Sequence, residues 1–60
     1  MTVEDLPGWL AQRNVDVDSP TLEGSICAWY RARYPWMHEH SVRTKAARLT
    51  RYFRREGKIQ

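Results

Sequence analysis

Ser41-Val42-Arg43-Thr44-Lys45-Ala46-Ala47-Arg48-Leu49-Thr50-Arg51-Tyr52-Phe53-Arg54-Arg55-Glu56-Gly57-Lys58 contains both a helix start and a helix stop. The Ser41 hydroxyl suits an N-cap, where it accepts from an orphan amide of the first turn. Gly57 suits the position just past the C-terminus, because it turns left-handed without steric cost. Between them Val42, Ala46, Leu49 and Phe53 recur at steps of four, three and four, which sets them on one narrow stripe. At about 100° per residue, Thr44, Arg48, Arg51 and Arg55 fall opposite that stripe. Arg43, Ala47 and Arg54 lie on one shoulder. The spacing predicts a helix with one face for a core and one face for anions.

A charged helix face is most often only a solvated face. Two features argue for more. The outward face carries one sign, with no acid to offset its arginines before Glu56. It is also built from arginine rather than lysine, and guanidinium forks match phosphate and the guanine edge better than ammonium does. A face made for solubility more often mixes signs through i, i+4 pairs.

The whole chain is 60 residues with a net charge of +3. That length predicts one domain over residues 1–60, and a small one with little buried surface. Three tryptophans and three tyrosines suggest that a few large aromatics fill its centre. One cysteine excludes an internal disulfide and gives no sign of an oxidising compartment. No apolar run is long enough to span a bilayer and no signal peptide is visible, so a soluble protein of the cytoplasm (or of the nucleoid or nucleus) is expected. Charge is unevenly spread. Residues 1–30 hold one arginine against five acids, a balance of −4, whereas residues 31–60 hold nine basic residues against Glu39 and Glu56, a balance of +7. Such asymmetry points to an anionic polymer or an acidic surface as partner.

Three helices are expected, over about residues 3–13, 20–34 and 41–56. In the first, Thr2 and Asp5 resemble a capping box. Pro7 is easily housed only in a first turn, which shifts the regular helix toward Leu6. Val3, Leu6, Trp9 and Leu10 form its core side. The Val-Asp-Val-Asp alternation of residues 15–18 is too short for a strand, and Val15 or Val17 is expected to tuck under the next helix. Ser19 and Pro20 read as N-cap and first helical residue. Leu22, Ile26, Trp29 and Tyr30 then supply an inward stripe, with Cys27 and Tyr34 beside it. Gly24 suggests a close helix crossing. Pro35 ends the helix, and Arg31 and Arg33 suit its C-terminal dipole as well as they suit phosphate. Trp36 and Met37 are expected to plug the corner before the third helix.

Catalytic and metal chemistry find no frame. His38, Glu39 and His40 invite a metal reading, but residues two apart on a connector chelate poorly and the paired spacings of zinc sites are absent. There is no glycine-rich phosphate loop, no Ser-His-Asp set and no carboxylate pair in an apolar setting. A chain this small has little room for a water-excluding pocket. Neither an enzyme nor a cofactor is expected.

Helix two, a connector, the Ser-Val-Arg-Thr-Lys-Ala-Ala-Arg-Leu of helix three, and the closing Glu56, Gly57, Lys58 and Ile59 together resemble the helix-turn-helix half of winged-helix DNA-binding domains. The resemblance covers about residues 22–59. It implies an all-α, three-helix fold, either wingless or continued by a wing beyond these residues, since the chain stops at Gln60 where the wing would begin. The Pro-Trp-Met connector is longer and bulkier than the tight glycine turn of simple helix-turn-helix proteins. By this resemblance the third helix enters the major groove of double-stranded DNA. Arg43, Thr44, Ala47, Arg48 and Arg51 would face base edges or flanking phosphates. Lys45, Arg54, Arg55 and Lys58 would hold phosphates, and Ser41 would bring its backbone amide to one. The process served would be transcription regulation, replication or recombination.

Two other partners stay open. The basic helix suits an acidic protein surface, with Trp36 or Tyr52 as anchors of a small adaptor or inhibitor. Structured RNA is the third, although no stacking platform is evident. With no heptad seam left over, a monomer or a weak dimer is expected.

Overall fold

Pro7 falls in the first turn of a short helix, where its missing amide costs nothing. The computed structural model describes residues 4–59. Three helices run through them, α1 Leu6–Gln12, α2 Leu22–Arg33 and α3 Glu39–Glu56, with no strand among the described residues. The fold is the all-α three-helix domain that the sequence predicts. The Thr2 capping box and Val3 lie outside the described residues.

Each helix boundary has a local cause. α1 ends at Gln12, and two residues on Asn14 adopts a left-handed φ of 57°, a conformation that asparagine tolerates better than most residues. The Val15 amide then donates back to the Leu10 carbonyl at 3.0 Å. The predicted Ser19 cap is corrected. Asp16 and Ser19 close a turn on one another, with the Asp16 amide donating to Ser19 Oγ at 3.0 Å and Ser19 Oγ donating to Asp16 Oδ1 at 3.2 Å. Having its hydroxyl in that turn, Ser19 leaves the N-cap position to Thr21, and Pro20 lies before α2. The Ser41 cap is corrected too. α3 begins at Glu39, and His38 caps it through Nδ1, which accepts from the His40 amide at 3.0 Å. Its C-terminus matches expectation: Gly57 has φ 77°, and its amide donates to the Phe53 carbonyl at 2.8 Å.

The helices close on one core of Leu6, Leu10, Leu22, Ile26, Cys27, Trp29, Tyr30, Val42, Ala46 and Phe53. α2 lies centrally, packing mainly on α3 and also on α1. Burying each large apolar side chain contributes roughly 1.5–3 kcal/mol before chain entropy is charged against it. The aromatics cluster at the end of α2, where Trp29 meets Tyr30 edge-on at 5.0 Å between centroids and Tyr34 at 6.0 Å. Val15, Val17, Trp9 and Ile59 pack around the rim.

Three core expectations change. Leu49 is only half-buried, and Thr50 takes the inward position, with its hydroxyl donating to the Ala46 carbonyl at 2.8 Å. Gly24 marks no close crossing, since a Cβ there would meet nothing within 4 Å. Trp36 does not plug the corner: it is 74% exposed, edge-on to Tyr34, while Met37 packs on the core. The turn that brings the Met37 amide to the Tyr34 carbonyl at 2.9 Å leaves Trp36 on its outside.

Candidate nucleic-acid interface

α3 turns Val42, Ala46, Thr50 and Phe53 inward. Helical geometry therefore carries Thr44, Arg48, Arg51 and Arg55 outward. Arg48, Arg51 and Arg55 are exposed, and Thr44 is half-buried. From Thr44 to Arg55 the row extends about 16 Å at 1.5 Å per residue.

The charges on this helix fall into two groups. At its start, Glu39 receives both Arg31 and Arg43. Arg31 donates from Nε to Oε1 at 3.1 Å and from Nη2 to Oε2 at 2.5 Å, and Arg43 Nε donates to Oε2 at 3.0 Å. The Arg31 hydrogen bonds, with those of Arg43 and the two nearby charges, hold the Glu39 carboxyl down at about 2. The same bonds raise the Arg31 guanidinium. The expectation of an acid-free face is thereby corrected at its N-terminal end. Including Glu39 in the helix makes it the i, i+4 partner of Arg43. Further along, Lys45, Arg48 and Arg51 have no ion pair among the described residues, and Arg55 approaches only Glu56, at 3.7 Å.

Several predicted site residues are engaged elsewhere. Arg54 reaches back to the loop before α2, donating from Nε to the Val17 carbonyl and from Nη2 to the Ser19 carbonyl, both at 3.2 Å. Its charge stays unneutralised, but its fork is committed to holding the loop. Lys58 sits past the helix beside the α1–α2 loop, lining a hollow of about 500 Å³ with Pro7, Ala11 and Val15 rather than extending the row. Ala47 is half-buried on the shoulder between Arg43 and Arg54. Ser41, Thr44, Lys45 and Arg48 are brought together with His40 around a shallow hollow of about 160 Å³.

Some features were not legible in the sequence. Arg33 pairs with Asp5, joining the end of α2 to the start of α1, so neither Arg31 nor Arg33 is left as a free cation. The guanidinium of Arg13 stacks 3.3 Å from the Trp9 ring centroid. Tyr52 is 44% exposed, with Arg55 5.6 Å from its ring centroid. Cys27 is buried, and desolvation pushes its thiol up, which disfavours the reactive thiolate. His38 is occupied as a helix cap, and no three His, Cys, Asp or Glu side chains converge as metal ligands among the described residues. No helix there is long and apolar enough to cross a membrane.

Comparison with family models, with curated proteins and with solved structures finds no match to this chain.

Proposed function

We propose that this domain binds double-stranded DNA, with α3 lying in the major groove and its outward row turned to the base edges and flanking phosphates. The observation that carries the reading is the partition of charge along α3. Glu39 is occupied by Arg31 and Arg43, whereas Lys45, Arg48 and Arg51 are left without carboxylate partners among the described residues. Unpaired guanidinium groups on one face are costly to crowd together and find their natural partners in phosphates or in the O6/N7 edge of guanine. Arg43, engaged with Glu39, and Arg54, engaged with the loop, contribute long-range charge more than direct contact. Transcription regulation, replication or recombination are the processes such a domain serves.

Selection of bound duplexes from a random pool tests the reading. An enriched sequence is expected, and Arg48→Ala or Arg51→Ala should weaken binding to it by roughly 1–3 kcal/mol each. The loss should be smaller on random duplex. A pool that emerges unenriched, with equal losses on all sequences, would reduce the role of these arginines to general electrostatics.

One observation favours a second reading, that of a protein-docking module. Trp36 projects 74% exposed from the connector, and exposed tryptophans are frequent interface anchors. Trp36→Ala would then abolish a protein complex while leaving duplex affinity unchanged.

A further inference from the structure

The hollow beside the N-terminal half of α3 differs from the rest of the helix in the chemistry of its lining. His40, Ser41, Thr44, Lys45 and Arg48 surround about 160 Å³ of open space. They offer an ammonium, a guanidinium, two hydroxyls and an imidazole. Residues three and four apart on a helix are surface neighbours, so Ser41 with Lys45, and Thr44 with Arg48, stand side by side along one flank. Their donors are unclaimed. Thr50 turns its hydroxyl back to the Ala46 carbonyl, but among the described residues no hydrogen bond engages the hydroxyl of Ser41 or of Thr44. Ser41 is free to do this because His38 caps the helix in its place. The nearest acid in the sequence, Glu39, has both its oxygens held by Arg31 and Arg43. No carboxylate among the lining residues opposes an anion there.

We infer that this hollow seats one phosphate group of a bound nucleic acid, with Lys45 supplying charge and Ser41 and Thr44 supplying hydroxyl donors, while Arg48 borders it and keeps its fork for the base edges. The inference rests on the duplex-binding reading and narrows the task of these side chains to one phosphate. Lys45, Ser41 and Thr44 fix position on the backbone, and Arg51, outside the hollow, reads sequence. Phosphate contacts set register and carry no sequence information. The phosphate is either an internal diester or a terminal monoester, which bears more charge and a third acceptor oxygen.

Two measurements test this. Inorganic phosphate is titrated into the wild-type protein while backbone and side-chain resonances are followed. Saturable shifts confined to residues 40–48 are expected, and shifts spread evenly over all the arginines would overturn the inference. In parallel, Lys45→Ala and Thr44→Val, checked for native helicity, are assayed on one duplex with and without a 5′-phosphate. Lys45→Ala, which removes a charged phosphate contact, should lower the salt slope by about one and weaken binding roughly fivefold or more near 0.1 M salt, whereas Thr44→Val, which removes an uncharged donor, should weaken binding with the slope unchanged. The loss should be equal on preferred and random sequences. A loss on both duplex forms assigns the hollow to a backbone diester, and a loss confined to the 5′-phosphorylated form assigns it to a strand end. If the wild type binds duplex and both variants bind as well as it does, the inference fails while the duplex reading stands. If the wild type binds no duplex yet phosphate shifts residues 40–48, the duplex reading fails and the inference as stated falls with it, leaving an anion site that a phosphopeptide would compete for.

Discussion

Arg31 grips Glu39 through two parallel hydrogen bonds that tie the last turn of α2 to the first turn of α3. The pair spans the connector and fixes how the two helices leave their shared corner. Arg43 completes the bridge from the next turn of α3. The contact also determines which cations of the basic half remain available.

Acid should dissolve this bridge within a defined window. Folding lowers the Glu39 carboxyl from 4.5 to about 2, so between those values the unfolded chain binds the extra proton. The stabilisation is fully present above the upper value and is lost as pH falls through the lower one. Melting curves of the wild type and of Glu39→Gln, recorded from neutral pH downward, should differ at neutral pH and converge near pH 2. Curves that stay parallel to the acid limit would show that the bridge does not contribute.

The same substitution has an opposite effect on binding. Glu39→Gln removes one negative charge and releases Arg43 on α3 and Arg31 beside it. Duplex affinity should rise and become steeper in salt, by about 0.9 in slope for each added phosphate contact. Unchanged affinity would mean that this end of α3 never approaches the nucleic acid.

Arg54 is expected to act in stability rather than in binding. Its fork on the Val17 and Ser19 carbonyls is a pair of charge-assisted hydrogen bonds at a partly solvated site. Arg54→Ala should therefore lower stability by about 1 kcal/mol. Arg54→Lys keeps the charge but cannot span both carbonyls, and it should lose a similar amount while retaining duplex affinity. Denaturant melts and binding isotherms on the two variants separate these roles.

Two positions should be costly for different reasons. Leu10 is fully buried, and Leu10→Ala should cost roughly 2–5 kcal/mol, a large share of the stability of so small a domain. Gly57 is exposed but left-handed, and Gly57→Ala should cost about 1–2 kcal/mol. Chemical denaturation measures both, and Trp36→Ala, changing an exposed ring, should stay within ~0.5 kcal/mol of wild type.

What could be read in advance was local. The Val42, Ala46 and Phe53 spacing, the Gly57 stop and the Pro35 boundary depend on neighbours within a turn or two, and each emerges in the structure as expected. The outward position of Arg48 and Arg51 follows from the same periodicity. The misplaced start of α3 has a competing local cause, because the His38 ring reaches its own helix before Ser41 can. Hydrophobicity alone places Trp36 inward, but the turn closing on Tyr34 carries it outside. The ties of Arg54 to residues 17 and 19, and of Arg33 to Asp5, join segments far apart in sequence. No periodicity contains such information.

The salt dependence of duplex binding, compared between the wild type and the Arg48→Ala/Arg51→Ala double variant, tests the central claim most directly. Log affinity against log salt should fall with a slope of about −3 to −4 for Lys45, Arg48, Arg51 and Arg55, and the double variant should lose about 2 of those units. A slope near zero, or one that the double substitution leaves unchanged, would contradict a nucleic-acid role for the outward face of α3.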